Sequence, residues 1–183
     1  MHSFVLRTTM GSWYGNTIIK DELIQRICAE MDFESMASNP VVVYINGEYW
    51  GIYNLREKYD RFYFKNRYQI AEDNINILDP CGYAEYGDDT DYRGVIDYIY
   101  NNDLEDNLHY EYVKSKIDIE NYINFQIAEI YYAHYDWPCN NYKIWKTNDA
   151  DSKWRFLIYD LDISFMHNET TDFNSLGMSH ATF

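Results

Sequence analysis

Hydrophobic and polar positions alternate in two rhythms along this chain, a two-residue period over short stretches and a helical period over longer ones. SFVLRT (residues 3–8) has the shorter rhythm and carries Arg7. Past a glycine-bearing turn at 11–15, TIIKDELIQRICAEM sets Ile19, Leu23, Ile24, Ile27 and Cys28 on one face of a helix of roughly four turns. VVVYING, just after Pro40, reads as a buried strand. NGEYWGIYNLRE returns from it as a hairpin, because Asn46-Gly47 is the pair that a tight two-residue turn favours. Residues 4–58 thus predict strand–helix–strand–strand. A short helix at DRFYFKNRY and a strand at NINIL follow, and Pro80-Cys81-Gly82 with the acidic EYGDDTD marks a loop.

From about residue 91 the helical period takes over, in DYRGVIDYIYNN, in HYEYVKSKI and in the long DIENYINFQIAEIYYAHY. The last puts Ile123, Ile127, Ile130 and Tyr131 on one stripe. Asp118 and Glu120 stand in its first turn, where carboxylates favour the helix dipole. NYKIWKTNDADSKWRFLIYD closes the pattern as a second hairpin about a polar tip. The predicted class is α+β in two lobes. A small sheet lobe with one helix occupies 4–80, a mainly helical lobe containing the hairpin occupies 81–183, and a ligand cleft is expected between them.

Composition narrows the partners. With 46% hydrophobic residues among 183, the chain can build a real core, and its 20 tyrosines supply amphipathic aromatics. A formal charge of −15 argues against a general nucleic-acid binder, because neutralising phosphates needs a basic face, and no nucleic-acid partner is expected. The charge leaves room for a basic protein partner, a divalent metal, or solubility alone. Cys28, Cys81 and Cys139 form neither a CxxC pair nor a zinc spacing, and the redox compartment stays open. No apolar run reaches membrane-spanning length, and Met1-His2-Ser3 opens onto strand-like sequence rather than a signal peptide. The chain is expected to be a piece of a longer protein, with any targeting segment upstream.

Two polar stretches carry candidate chemistry. YDWPCNNY lies between the long helix and the second hairpin, and KWRFLIYDLDISF runs from a strand straight into Asp160 and Asp162. Phosphoryl transfer from ATP needs a base to orient the attacking hydroxyl and oxygen ligands to hold Mg²⁺ on the phosphates. Asp136 and Asn141 have the D-x-x-x-x-N spacing of a protein-kinase catalytic loop, and Asp160-Leu161-Asp162 stands where kinases carry the metal-binding D-F-G. Structural readings stand beside these. Asp136 can shape the Pro138 turn, Asp160 and Asp162 can be strand-end acids, and Arg7 can cover a sheet face. Glu57 can be a surface ion pair, and His134 reads as a packed histidine rather than a ligand. DADSKWRFLIYD spaces acids like an EF-hand loop, but it lacks the central glycine and puts Lys153 and Arg155 at ligand positions. A glycosidase carboxylate pair is not distinguished by two acids alone.

At these residues the chain resembles the CotH kinase family, atypical protein kinases associated with the bacterial spore coat. VVVYINGEYWGIYNLREKYDRFYF looks like the family's strand–turn–strand ending in an acid and a base. DWPCNNYKIW with KWRFLIYDLDISF looks like its catalytic segment. The resemblance spans roughly residues 4–166. It implies a two-lobed kinase-like fold, ATP with Mg²⁺ or Mn²⁺ as cofactors, and a protein substrate phosphorylated on hydroxyls. It favours a cell-surface, secreted or spore-coat location. Carried over by position, Asp136 is the catalytic base, Asn141 and Asp160 are metal ligands, and Asp162 is a further metal-site acid. Arg7 takes the place of the phosphate-gripping lysine, with Asp21 or Glu22 as its expected partner. Glu57 falls at the adenine edge of a nucleotide site. Two departures stand out: no glycine-rich loop precedes Arg7, and little follows the hairpin to complete a helical lobe. These lead to an expectation of an incomplete kinase, with a kinase-shaped binding module, an adhesin or coat-assembly protein, as the alternative.

Overall fold

The computed structural model describes residues 3–8, 17–138 and 140–165. The predicted turn at 11–15, Cys139, and the second lobe beyond residue 165 lie outside the described residues. Strands β1 (Val5–Arg7), β2 (Ser38–Ile45) and β3 (Glu48–Arg56) form an antiparallel sheet in the order β1-β3-β2. Asn46 and Gly47 both take positive φ, 54° and 85°, the turn conformation whose twist matches the strands it joins. Helix α1 (Lys20–Ile27) is tied to this sheet by polar contacts. Asn54 Nδ2 donates to the Ile18 carbonyl at 2.6 Å, and the buried Arg56 pairs with Asp21.

A second antiparallel sheet has the order β5-β4-β6-β7, built from β4 (Ile75–Leu78), β5 (Ala84–Tyr86), β6 (Tyr142–Thr147) and β7 (Arg155–Ile158). β6 and β7 are the predicted hairpin. β4 comes from the 4–80 segment yet pairs with β6, Ile75 opposite Thr147 and Leu78 opposite Ile144. All four of its residues are buried, so both of its edges need hydrogen-bonding neighbours. β5 supplies the second neighbour from within the acidic stretch that reads as loop. Helices α2 (Arg61–Tyr68), α3 (Thr90–Asn101), α4 (Asn107–Lys116) and α5 (Ile119–Tyr131) complete the α+β architecture. Asp60, Asp106 and Asp118 cap α2, α4 and α5, accepting from backbone N–H groups of their first turns.

Phe125, Trp137, Ile144, Trp154, Phe156 and Leu161 belong to the larger core, between the second sheet and the helices. A smaller one joins Tyr59, Tyr63 and Phe64 to Trp145 and Leu157. The helical stripes are divided differently from their periodicity. Ile24 and Cys28 of the first stripe are buried, whereas Ile19, Leu23 and Ile27 are exposed. α5 buries Asn121, Phe125, Ala128 and Glu129 and turns Ile123, Ile127 and Tyr131 outward.

Asn121 explains the orientation of α5. Its Oδ1 accepts from the Phe156 N–H at 2.6 Å, and its Nδ2 donates to the carbonyls of Asp32 (2.7 Å) and Phe156 (3.1 Å). One amide thereby joins α5, β7 and the chain after α1. Asn121→Ala strands those buried groups and is expected to cost about 3 kcal/mol, read as a lower urea midpoint at constant slope. Cys28 is buried and Cys81 exposed, both as free thiols. Among the described residues no helix is long and apolar enough to cross a membrane.

Candidate active site

The β6–β7 hairpin assembles the site. Its register sets Tyr142 opposite Ile158, and the Tyr159 N–H donates to the Asn141 carbonyl at 3.1 Å. Asn141, just before β6, therefore lies beside Asp160, just after β7. Asn141 Nδ2 donates to Asp136 Oδ2 at 3.1 Å and to the Asp160 carbonyl at 3.2 Å. Both Asn141 and Asp160 take left-handed backbone conformations, φ 63° and 62°. Asn and Asp are the side chains that tolerate this region best, so the two polar residues also end the hairpin.

Asp136 reaches the site from α5. The chain turns through Ala133 (φ 46°) and passes Trp137, whose buried ring anchors the loop in the larger core; the Trp137–Pro138 peptide is cis. Two backbone bonds tie this loop to the segment after Asp160. The Tyr135 N–H donates to the Ile163 carbonyl at 3.2 Å, and the Phe165 N–H to the Tyr132 carbonyl at 3.0 Å. From the opposite side, Arg7 on β1 spans both acids, bonding Asp160 Oδ1 and, at 3.0 Å, Asp162 Oδ2. Lys20 Nζ donates to the Ser164 carbonyl at 3.0 Å, bringing the start of α1 to the same segment.

Arg7 does not take the expected partner. Asp21 is held by Arg56, and Glu22 by Arg26 at 2.6 Å. Strand register is the reason: Arg7 lies opposite Asn54, while Arg56 is the basic residue set over α1. Glu57 stands apart as well. Its carboxylate accepts from the Ala37 N–H at 2.8 Å, and no hydrogen bond or ion pair among the described residues joins it to Asp136, Asn141 or Asp160. Arg7 and Glu57 do line one cavity of about 290 Å³, together with Glu85, Lys143 and Tyr159. Lys143 pairs with Glu85 and lies 5.5 Å from the Tyr159 ring centroid. Lys143 escaped the sequence reading. The strand alternation contained its signal, since it lies two positions past Asn141 on β6.

Burial pushes the Asp160 carboxyl up to about 6, with Asp162 adding to the rise and Arg7 opposing it. Burial also works against the Arg7 charge, but Asp160 and Asp162 outweigh it and raise its pKa. The donor set suits a hard divalent cation. Asp162 Oδ1 is buried without a hydrogen-bond partner, Asp160 is adjacent, and Asn141, with Nδ2 committed, keeps its Oδ1 as an acceptor. Among the described residues no group of three or more acidic, His or Cys side chains is arranged to hold a metal. A Mg²⁺ ion would take one or two carboxylates and complete its shell from phosphate and water.

Among the described residues, two small antiparallel sheets with five helices, and an acid, an amide and an acid pair gathered about a hairpin and faced by a strand-borne cation, are consistent with a kinase-like fold. Residues 2–182 match the family model described as CotH kinase protein, so the chain belongs to the CotH kinase family. No curated protein matches it.

Proposed function

We propose that this chain is the catalytic core of a protein kinase of the CotH type, moving the γ-phosphoryl group of ATP to a hydroxyl on a protein. The observation that carries this reading is the Asn141 amide, bonded at once to Asp136 and to the Asp160 carbonyl. It fixes a proton-accepting carboxylate beside a pair of oxygen ligands.

In this reading Asp136 orients the acceptor hydroxyl and receives its proton as the oxygen–phosphorus bond forms and the bond to the leaving ADP breaks. Asn141, Asp160 and Asp162 hold the metal, which when bound neutralises charge on the phosphates. Arg7, already spanning two carboxylates, supplies the cation that phosphate oxygens share. The cavity beside Tyr159 and Lys143 takes the rest of the nucleotide, and Glu57 lines it.

The test is transfer of radiolabelled phosphate by the intact protein, with Mg²⁺ and Mn²⁺, to a mixed cell-surface protein extract. Labelled protein that requires metal is the expected result. Absence of both transfer and nucleotide binding in the intact protein overturns the reading.

One observation favours a second reading, a surface-binding module. The first sheet exposes Val42, Tyr44, Tyr49, Trp50 and Ile52 in a chain of net charge −15, a surface suited to a basic protein. Salt-sensitive capture of such a partner, unchanged by Asp136→Asn, would separate this role from catalysis.

A further inference from the structure

Lys143 and Glu85 line the same cavity as Arg7, yet the reading above gives the pair no task. Strand alternation puts Lys143 on the face that carries Asn141, one two-residue step of about 7 Å along the chain. Its side chain does not turn back toward the acids. Nζ reaches across β4 to β5, where it donates to both carboxylate oxygens of Glu85. Asp160 follows β7, and β7 lies three strand positions from β5 in the same sheet. The cavity therefore has an ammonium–carboxylate pair on its β5 side and Arg7 with its two acids on its β7 side. Tyr159 links the two. Its ring centroid lies 5.5 Å from Lys143 Nζ, and burial raises its hydroxyl pKa, with Glu85 and then Asp160 adding to the rise.

Stability is a poor reason for this pair. The Glu85 side chain is 46% exposed, and ion pairs so open to water contribute little to a fold. An ammonium has three donors and a carboxylate about four acceptor sites, so the pair has hydrogen-bonding capacity beyond its own two bonds. In the wall of a nucleotide cavity, that capacity can read the edge of a base. Guanine suits it best. Its N1–H and 2-amino group donate side by side to a carboxylate, a charge-assisted two-point contact, while O6 or N7 accepts from the ammonium. Adenine offers its 6-amino group to the carboxylate and N7 to the ammonium, one bond fewer.

We propose that Glu85 and Lys143 read the base of the bound nucleotide, and that the site takes GTP at least as tightly as ATP. The proposal rests on the reading of this cavity as the nucleotide site. It adds a base preference that apolar walls would not impose, because the donors and acceptors of the base edge then meet fixed charges.

The experiment titrates the intact protein calorimetrically with GTP, ATP and inosine triphosphate, each with Mg²⁺. Transfer from γ-labelled GTP and ATP is measured on the same preparation. Inosine triphosphate keeps O6 and N1–H of guanine but lacks the 2-amino group. Wild type is expected to bind GTP at least as tightly as ATP, and inosine triphosphate about tenfold more weakly than GTP, the loss of one charge-assisted bond. Glu85→Gln is expected to lower the ratio of GTP to ATP affinity about tenfold, and Lys143→Met to weaken the binding of both. ATP bound with GTP excluded overturns the proposal and leaves the kinase reading intact. Equal affinity for GTP and inosine triphosphate, or an unchanged ratio in Glu85→Gln, also overturns it, since the pair then does not read the base. GTP and ATP bound in the expected order, with no transfer from either, upholds the base-reading pair and counts against the kinase reading alone. Binding of no nucleotide rejects both. Should Glu85→Gln not fold, the comparison of GTP with inosine triphosphate in wild type carries the decision.

Discussion

If the kinase reading holds, Asp136→Asn is expected to lower phosphoryl transfer about a hundredfold or more and to leave nucleotide binding intact, the scale of a positioned acid–base group. Asparagine keeps the size of the side chain and can still meet the Asn141 amide through its own oxygen, so the loop retains its shape. What it loses is the capacity to take the acceptor's proton. Because among the described residues Asp136 receives only the Asn141 bond at 3.1 Å, while Arg7 engages Asp160 and Asp162, its replacement is expected to leave those two acids as they are. Single-turnover transfer, with calorimetric ATP affinity measured on the same preparation, is the check. Equal rates in variant and wild type remove Asp136 from the role of base.

The second large effect is a pH dependence of metal-dependent nucleotide binding centred on Asp160. A metal ligand must be ionised, and burial holds this carboxyl up to about 6. Affinity for Mg²⁺-ATP is therefore expected to fall about tenfold between pH 7.5 and pH 5, where about a tenth of Asp160 remains ionised. Asp160→Asn weakens binding at neutral pH and shows only the titration of the nucleotide's own phosphate. An identical pH profile in variant and wild type would exclude Asp160. Fold stability runs in the opposite sense. A carboxyl that binds its proton more tightly folded than unfolded stabilises the fold at pH below about 4, and this contribution is lost as pH rises through 6. The site thus exchanges stability for an ionised ligand in the range where it would bind metal.

Much of this was legible because it is local. Asn46-Gly47 names its own turn, Asp60 and Asp118 cap the helices that they precede, and a β6–β7 hairpin follows from two apolar runs about a polar tip. Once that hairpin is granted, the D-x-x-x-x-N spacing and the acid pair after β7 must converge, since pairing brings its two ends together. The helix stripes were less legible. Periodicity reports that a helix is amphipathic, but the inward side of α5 is chosen by Asn121 and Glu129, polar residues whose partners lie elsewhere in the chain. Such side chains look like surface until their hydrogen bonds are known.

The sequence by itself determined the α+β class, the resemblance to CotH kinases, and the nearness of Asn141 to Asp160, because spacing along a hairpin is a short-range constraint. Tertiary structure alone decided what depends on long-range register. The pairing of β4 with β6 placed residues 75–78 in the second sheet. The register of β1 on β3 gave Asp21 to Arg56 and sent Arg7 across to Asp160 and Asp162. The fold also buried His134 on Glu129 behind the Asp136 loop. The partner of a charge is set by which elements meet, and the free energy of that meeting is spread over two cores and many hydrogen bonds, none visible in a local window of residues.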